Sequence, residues 1–285
     1  MCSALVGDPF LADLNAAVAL VPSLPRVRFE VGLTEGADRW LRKKHADGAV
    51  HEPATLAAFL AIRERCECKH IFDVGALWGY FSLFAAALFP DAAITAFESH
   101  PSVIEPLSRN VDSHVTCVYG VVSDETREGV RLWVSGFNLY EEPEGGWDKL
   151  ETVAGAMKQR GPENKGRGFM RHNLTTLDTY CALANVVPDL IKIDVEGYQA
   201  KAILGAMETI RRHRPAIVIE LHDPDKLARF GITNASTVQP LFDLGYRAYW
   251  CGNHRDRDAR FERVQAMEAR HEKLSIMVFL REGAA

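Results

Sequence analysis

An α/β fold with a doubly wound, seven-stranded, mostly parallel sheet and a helical N-terminal appendage is what the sequence predicts, and three observations predict it. From His70 almost to the end, short apolar runs alternate with helix-length amphipathic segments, the order of a sheet whose strands are joined by crossover helices. The apolar runs carry Val and Ile at both parities, as strands covered on both faces require. Ile71-Phe72-Asp73-Val74-Gly75, an apolar helix, and Ala93-Ile94-Thr95-Ala96-Phe97-Glu98 together have the grammar of a βαβ unit that opens a nucleotide site.

Residues 1–69 stand apart as the appendage, and residues 70–285 as the main domain. Leu11, Leu14, Val18 and Leu20 mark a short amphipathic helix that Pro22 and Pro25 end. A second helix covers 55–62, with Pro53 in or just before its first turn. This appendage is placed to cap an acceptor pocket or to build a dimer contact. Its run Arg39-Trp40-Leu41-Arg42-Lys43-Lys44-His45 reads as a solvated helix face. Strands are expected near 70–75, 93–98, 115–122, 189–195, 215–221, 246–251 and 274–281, with helices near 79–89, 101–112, 199–212, 235–244 and 256–270. The alternation fails over 123–188, where only 130–134 reads as an extra strand. Polar, Gly- and Pro-rich stretches at 141–146 and 158–168 make the insertion, about 124–176, a lid or a disordered excursion.

The chain of 285 residues is 47% hydrophobic and 25% charged, which is ordinary globular composition. A net charge of −5 gives no global basic field, so nucleic acid is not expected as a partner. The six cysteines are dispersed without paired CxxC units, as free thiols in a reducing compartment would be. The apolar run 16–21 is too short for a span and lacks a basic flank, so no membrane is expected and the protein is placed in the cytoplasm.

Two constellations carry chemistry. Gly75 falls where a buried strand turns into a helix, Gly79 permits close approach at the first helical turn, and Glu98 ends the next strand, from which a carboxylate can accept from two ribose hydroxyls. Together they point to a nucleoside cofactor. The dinucleotide fingerprint would need glycine where Leu77 and Tyr80 stand, so a nicotinamide-dependent oxidoreductase is only the runner-up. The second constellation is Asp189-Leu190-Ile191-Lys192-Ile193-Asp194-Val195-Glu196-Gly197, with Lys192, Asp194 and Glu196 on one strand face, and Glu220 and His222 on one parity of the next strand. If the strands are neighbours, these groups meet at the carboxyl edge where open α/β sheets keep ligands. Lys192 and Glu220 read equally well as a buried ion pair, and Glu196 as a group that orients the acceptor or caps helix 199–212. Asp194 and Glu220 would suit Mg²⁺, but two carboxylates make a divalent metal possible rather than favoured, and no metal ligand is assigned.

These residues resemble the FkbM-type methyltransferases, a branch of the class I enzymes with a Rossmann-like fold that use S-adenosylmethionine (SAM). The resemblance rests on Phe72-Asp73-Val74-Gly75-Ala76 with Gly79-Tyr80-Phe81-Ser82, on Ala96-Phe97-Glu98 with Pro101 and Leu107-x-x-Asn110-Val111, and on Leu177-Asp178. Lys192-Ile193-Asp194-Val195-Glu196-Gly197 and the stretch 215–220 complete it, over roughly 70–222. Leu77, Trp78 and Ser99 depart from the residues common in the family, which are Asn, Ile and Pro. The resemblance implies methyl transfer from SAM, leaving S-adenosylhomocysteine, to a hydroxyl of a small natural product or sugar. Asp73, Gly75, Gly79 and Glu98 are expected to hold SAM, with Ser123 and Asp124 near the adenine because they follow the third strand. Asp194 and His222 are the candidates for base and acceptor contact, with Glu196 in support. The remaining alternative is a non-catalytic, SAM-binding partner protein.

Overall fold

The computed structural model describes residues 8–25, 27, 50–135, 138–141, 167–228 and 230–281. The run 39–45 and the stretches 142–146 and 158–166 of the insertion lie outside them. The main sheet holds eight strands: β1 (His70–Val74), β2 (Ala93–Glu98), β3 (Val115–Tyr119), β8 (Leu190–Ile193), β9 (Ala216–Leu221), β10 (Arg247–Cys251), β11 (Glu262–Val264) and β12 (Ser275–Leu280), in the order β11-β10-β12-β9-β8-β1-β2-β3. The pairs β1–β2, β2–β3, β1–β8 and β8–β9 are parallel, while β12 runs antiparallel between β9 and β10. The strand order reverses beside β1, so the ends of β1, β2 and β8 frame the crevice in which such sheets bind ligands.

Burial explains the strands. Every residue of β8, β9 and β12 is buried, as a sheet covered on both faces demands. One face is covered by α1 (Pro9–Leu20), α2 (Pro53–Arg63) and α3 (Tyr80–Leu88), whose apolar residues share one core with Ile71, Ile94 and Val218. Asp8 caps α1 by accepting from the Phe10 and Leu11 N–H groups, and its carboxylate also takes the Tyr249 hydroxyl, which ties the first helix to β10. The opposite face packs against α6 (Gln199–Leu204), α7 (Met207–His213) and α8 (Asn234–Asp243), with α4 (Pro101–Asn110) following β2. Among the described residues no helix is long and apolar enough to cross a membrane.

The structure departs from the sequence expectations in three places. No helix fills 256–270: the chain turns, adds β11 as an antiparallel edge strand on β10, and makes one 3₁₀ turn at Ala269–His271. Phe261 and Val264 are buried at a helix-like i, i+3 spacing, yet the ladder of 262–264 to β10 makes this stretch a strand. The strand expected over 115–122 breaks at Gly120, whose N–H donates to the Glu98 carbonyl. Beyond the break β4 (Val121–Val122) leaves for a second sheet, ordered β4-β7-β5-β6, with β5 (Arg127–Ser135), β6 (Asn138–Glu141) and β7 (Arg167–Thr175). Much of the stretch read as irregular is therefore paired strand, followed by α5 (Leu177–Ala184), which Thr176 caps by accepting from the Thr179 N–H. Finally, the helix expected over 199–212 divides into α6 and α7 at Gly205, where a Cβ would lie 1.9 Å from the Ser123 carbonyl oxygen.

Candidate active site

At the end of β1 the chain takes Gly75 at φ +82°, and a Cβ there would stand 1.8 Å from the Asp194 carbonyl oxygen. Glycine is thus required by the backbone that continues β8, whose Asp194 N–H donates to the Val74 carbonyl at 2.9 Å. The Gly75 and Ala76 N–H groups both donate to the Phe97 carbonyl, and Leu77, at φ +51°, turns its N–H onto Glu98 Oε2 at 2.8 Å. Gly79, at φ +89°, starts α3, and a Cβ there would meet Leu107 and Val111 at 2.9 Å.

The carboxylates of this edge are matched to donors. Glu98 Oε1 accepts from the Ser99 and His100 N–H groups at 2.8 and 2.7 Å, so three of about four acceptor positions on the carboxylate are taken and one remains on Oε2. Burial pushes its pKa above the ordinary value, and the three amides pull against that shift. Asp73 is buried beneath the loop, with Ser82 Oγ donating to Oδ2 at 2.6 Å and Lys192 Nζ 3.2 Å from Oδ1. Ser123 is buried and donates to Asp124 Oδ1 at 3.0 Å, while Asp124 faces Lys201 Nζ at 3.4 Å.

The second edge is built differently. Because β8 and β9 are parallel neighbours, Asp194 just beyond β8 comes level with Glu220 and His222 at the end of β9. Glu196, at φ +51°, and Gly197, at φ +100°, then fold the chain back so that Glu196 faces the same point. His222 is 1% exposed, and its Nε2 lies 3.3 Å from Glu220 Oε2, 3.6 Å from Glu196 Oε2 and 3.8 Å from Asp194 Oδ1, without a well-aligned hydrogen bond to any of them. The Asp194 side chain is 23% exposed and so forms the rim. Asn234 Nδ2 donates to the His222 carbonyl at 2.8 Å and fixes the loop.

Around this centre the fixed charges sort themselves. Lys192 Nζ, 3.7 Å from Asp194 Oδ2, joins the two edges through Asp73. Burial would lower its pKa, but Asp73, Asp194 and Glu52 outweigh burial and hold it above the usual range. Burial would raise the Glu196 pKa, but His222 first and then Lys226, which bonds Oε2, draw it down to about 2. Glu220 Oε1 takes the Arg255 guanidinium at 2.8 Å and His254 Nε2 at 3.1 Å, yet burial and the neighbouring Asp194 keep its pKa well above the carboxylate range. Burial presses His254 down to about 4. Glu52, paired with His51 and Arg255 at 3.1 Å each, lies below the usual range although burial opposes this.

The sequence-predicted residues thus fall into the two expected groups: Asp73, Gly75, Gly79 and Glu98 around one loop, and Asp194, Glu196 and His222 around one point. Ser123 and Asp124 lie beyond β4, against Tyr198 and Lys201. Lys192 and Glu220 do not pair with each other: Lys192 goes to Asp73 and Asp194, and Glu220 to Arg255, because their side chains sit on different stretches of the crevice wall. Glu52, His254 and Arg255 escaped sequence reasoning. Gly252-Asn253, a turn signal after a strand, was the one pointer that His254 and Arg255 return to the carboxyl edge.

The family profile described as the methyltransferase FkbM domain matches residues 73–248, more than half of the chain. No curated protein matches. Among solved structures the chain is similar to an FkbM methyltransferase from Methylobacillus flagellatus, at 15% identity and TM-score 0.43 over 86% of this chain and 58% of that one. It is also similar to a precorrin-6y C5,15-methyltransferase from Geobacter metallireducens, at 16% identity and TM-score 0.40 over 81% and 86% of the two chains. A third is an O-methyltransferase from Bacillus cereus in complex with S-adenosylhomocysteine, at 11% identity and TM-score 0.38 over 98% and 94%.

Proposed function

Because the chain belongs to the family of FkbM methyltransferase domains and is therefore a SAM-dependent methyltransferase, we propose that it methylates a hydroxyl of a small acceptor, a natural product or sugar, held at the carboxyl ends of β8 and β9. The observation that carries this reading is Asp194, a partly exposed carboxylate whose backbone abuts Gly75 and whose side chain covers a buried histidine.

SAM fits the first edge chemically: the leftover acceptor position of Glu98 suits a ribose hydroxyl, and the first-turn N–H groups of α3 suit a carboxylate. Gly75 and Gly79 shape the loop, Asp73 braces it through Ser82 and Lys192, and Ser123 and Asp124 flank the adenine side. When bound, SAM supplies a methyl group already activated on a sulfonium. What the chain adds is alignment, with ~7–11 kcal/mol accessible to well-oriented systems, and a proton acceptor contributing ~10²–10⁴-fold.

Asp194 takes the hydroxyl proton. His222, too buried to reach a substrate itself, lies behind Asp194 with Glu196 and shapes the charge around it rather than touching the acceptor. The test is transfer of labelled methyl from SAM to a panel of sugar and natural-product alcohols. Label in an ether linkage, lost in Asp194→Asn, supports the reading; label on nitrogen or carbon only, or undiminished transfer in the variant, refutes it.

A further inference from the structure

We propose that Asp194, Glu220 and His222 form a binding site for one first-row divalent cation such as Mn²⁺. The three groups offer Oδ1, Oε2 and Nε2, and one ligand atom from each lies within 4.8 Å of the others. His222 Nε2 stands 3.3 Å from Glu220 Oε2 and 3.8 Å from Asp194 Oδ1. Atoms bound at ~2.1 Å to one ion sit roughly 3.0–3.5 Å apart in octahedral or tetrahedral arrangements, so small side-chain rotations close the site.

The independent pointer is the imidazole. A buried polar atom in a folded protein almost always has a hydrogen-bond partner. Both ring nitrogens of His222 lack one, and Nε2 is aimed between carboxylate oxygens. The neighbouring trio Glu52, Glu220 and His254 also has two carboxylates and one imidazole but already holds a cation, since Arg255 Nη2 lies 2.8 Å from Glu220 Oε1 and 3.1 Å from Glu52 Oε1. Lys192 meets Asp194 through Oδ2, and Lys226 meets Glu196, so both lysines leave Asp194 Oδ1 and Glu220 Oε2 facing the histidine. Among the described residues, the carboxyl groups of Asp73, Asp194, Glu220 and Glu52 face the permanent cations Lys192 and Arg255.

The donor set selects the metal. One imidazole with two carboxylates suits Mn²⁺, Fe²⁺ or Zn²⁺ better than Mg²⁺, which prefers oxygen ligands alone. A cation here would lower the pKa of an acceptor hydroxyl beside Asp194. That consequence rests on the methyl transfer proposed above, whereas the binding itself does not.

The test uses the full chain, stripped of metal by chelation and gel filtration, and titrated with MnCl₂ while free Mn²⁺ is read by electron paramagnetic resonance. One site per chain is expected in the wild type, weakened at least about 10-fold in both Asp194→Asn and His222→Gln, with Mg²⁺ a poor competitor. Absence of a site in the wild type, or an unchanged site in either folded variant, overturns the proposal. Should the buried His222→Gln fail to fold by circular dichroism, the rim variant Asp194→Asn decides alone. A Mn²⁺ site in a protein that methylates no alcohol would stand while the hydroxyl-transfer reading fell, and transfer undiminished in a protein without the site would do the reverse.

Discussion

The two edges of the crevice are made of the same residue types and are finished in different ways. Around Glu98 and Asp73 the carboxylates meet donors of fixed geometry, three backbone amides and a serine hydroxyl at 2.6–2.8 Å. Around His222 three carboxylates crowd one imidazole at 3.3–3.8 Å without a settled hydrogen bond. The first edge is organised in the protein by itself, as a site for an invariant cofactor should be; the second keeps its polar groups poised for what binds there. Lys192 couples them, with one ammonium reaching both Asp73 and Asp194.

Substitutions can break or sharpen that contrast. The largest effect is expected at Gly75→Ala, where positive φ and a Cβ 1.8 Å from the Asp194 carbonyl combine. A loss of about 3 kcal/mol or more is expected, read by urea denaturation, and both edges should fail together. Asp194→Asn should lower kcat by about 10²-fold or more while the fold is kept, measured as steady-state methyl transfer. An intact kcat would move the proton acceptor elsewhere. Lys226→Ala is the smallest: its pair with Glu196 is about one third exposed on both sides, so stability should shift by no more than about 1 kcal/mol in the same denaturation experiment. A larger loss would mean that the second edge is held as rigidly as the first.

The first edge was legible because its parts are local in sequence. Gly75, Gly79 and Glu98 lie within one βαβ unit, where strand, turn and helix signals fix their places. The β8–β9 pairing was also within reach, since two apolar runs ending in charged residues at one parity predict a shared edge. What the sequence hid was the return of the chain after β10. The i, i+3 spacing of Phe261 and Val264 is that of a helix face, and only the ladder that pairs 262–264 with β10 makes this stretch a strand. A helix over 256–270 gives His254 and Arg255 no route to Glu220, whereas in the structure both reach Glu220 Oε1. The expected strand at 130–134 lies within β5, but β6 and β7 escape the sequence for a related reason. Their pairing is long-range, and a second sheet attached through two residues at Val121–Val122 leaves little local signature.

The division of labour between the edges is tested most directly by calorimetric titration of S-adenosylhomocysteine into the wild type, Glu98→Ala and Asp194→Asn. Binding to the wild type, weakened about 10-fold or more in Glu98→Ala and unchanged within about twofold in Asp194→Asn, is the predicted result. Equal weakening in the two variants, or no binding to the wild type, would contradict it.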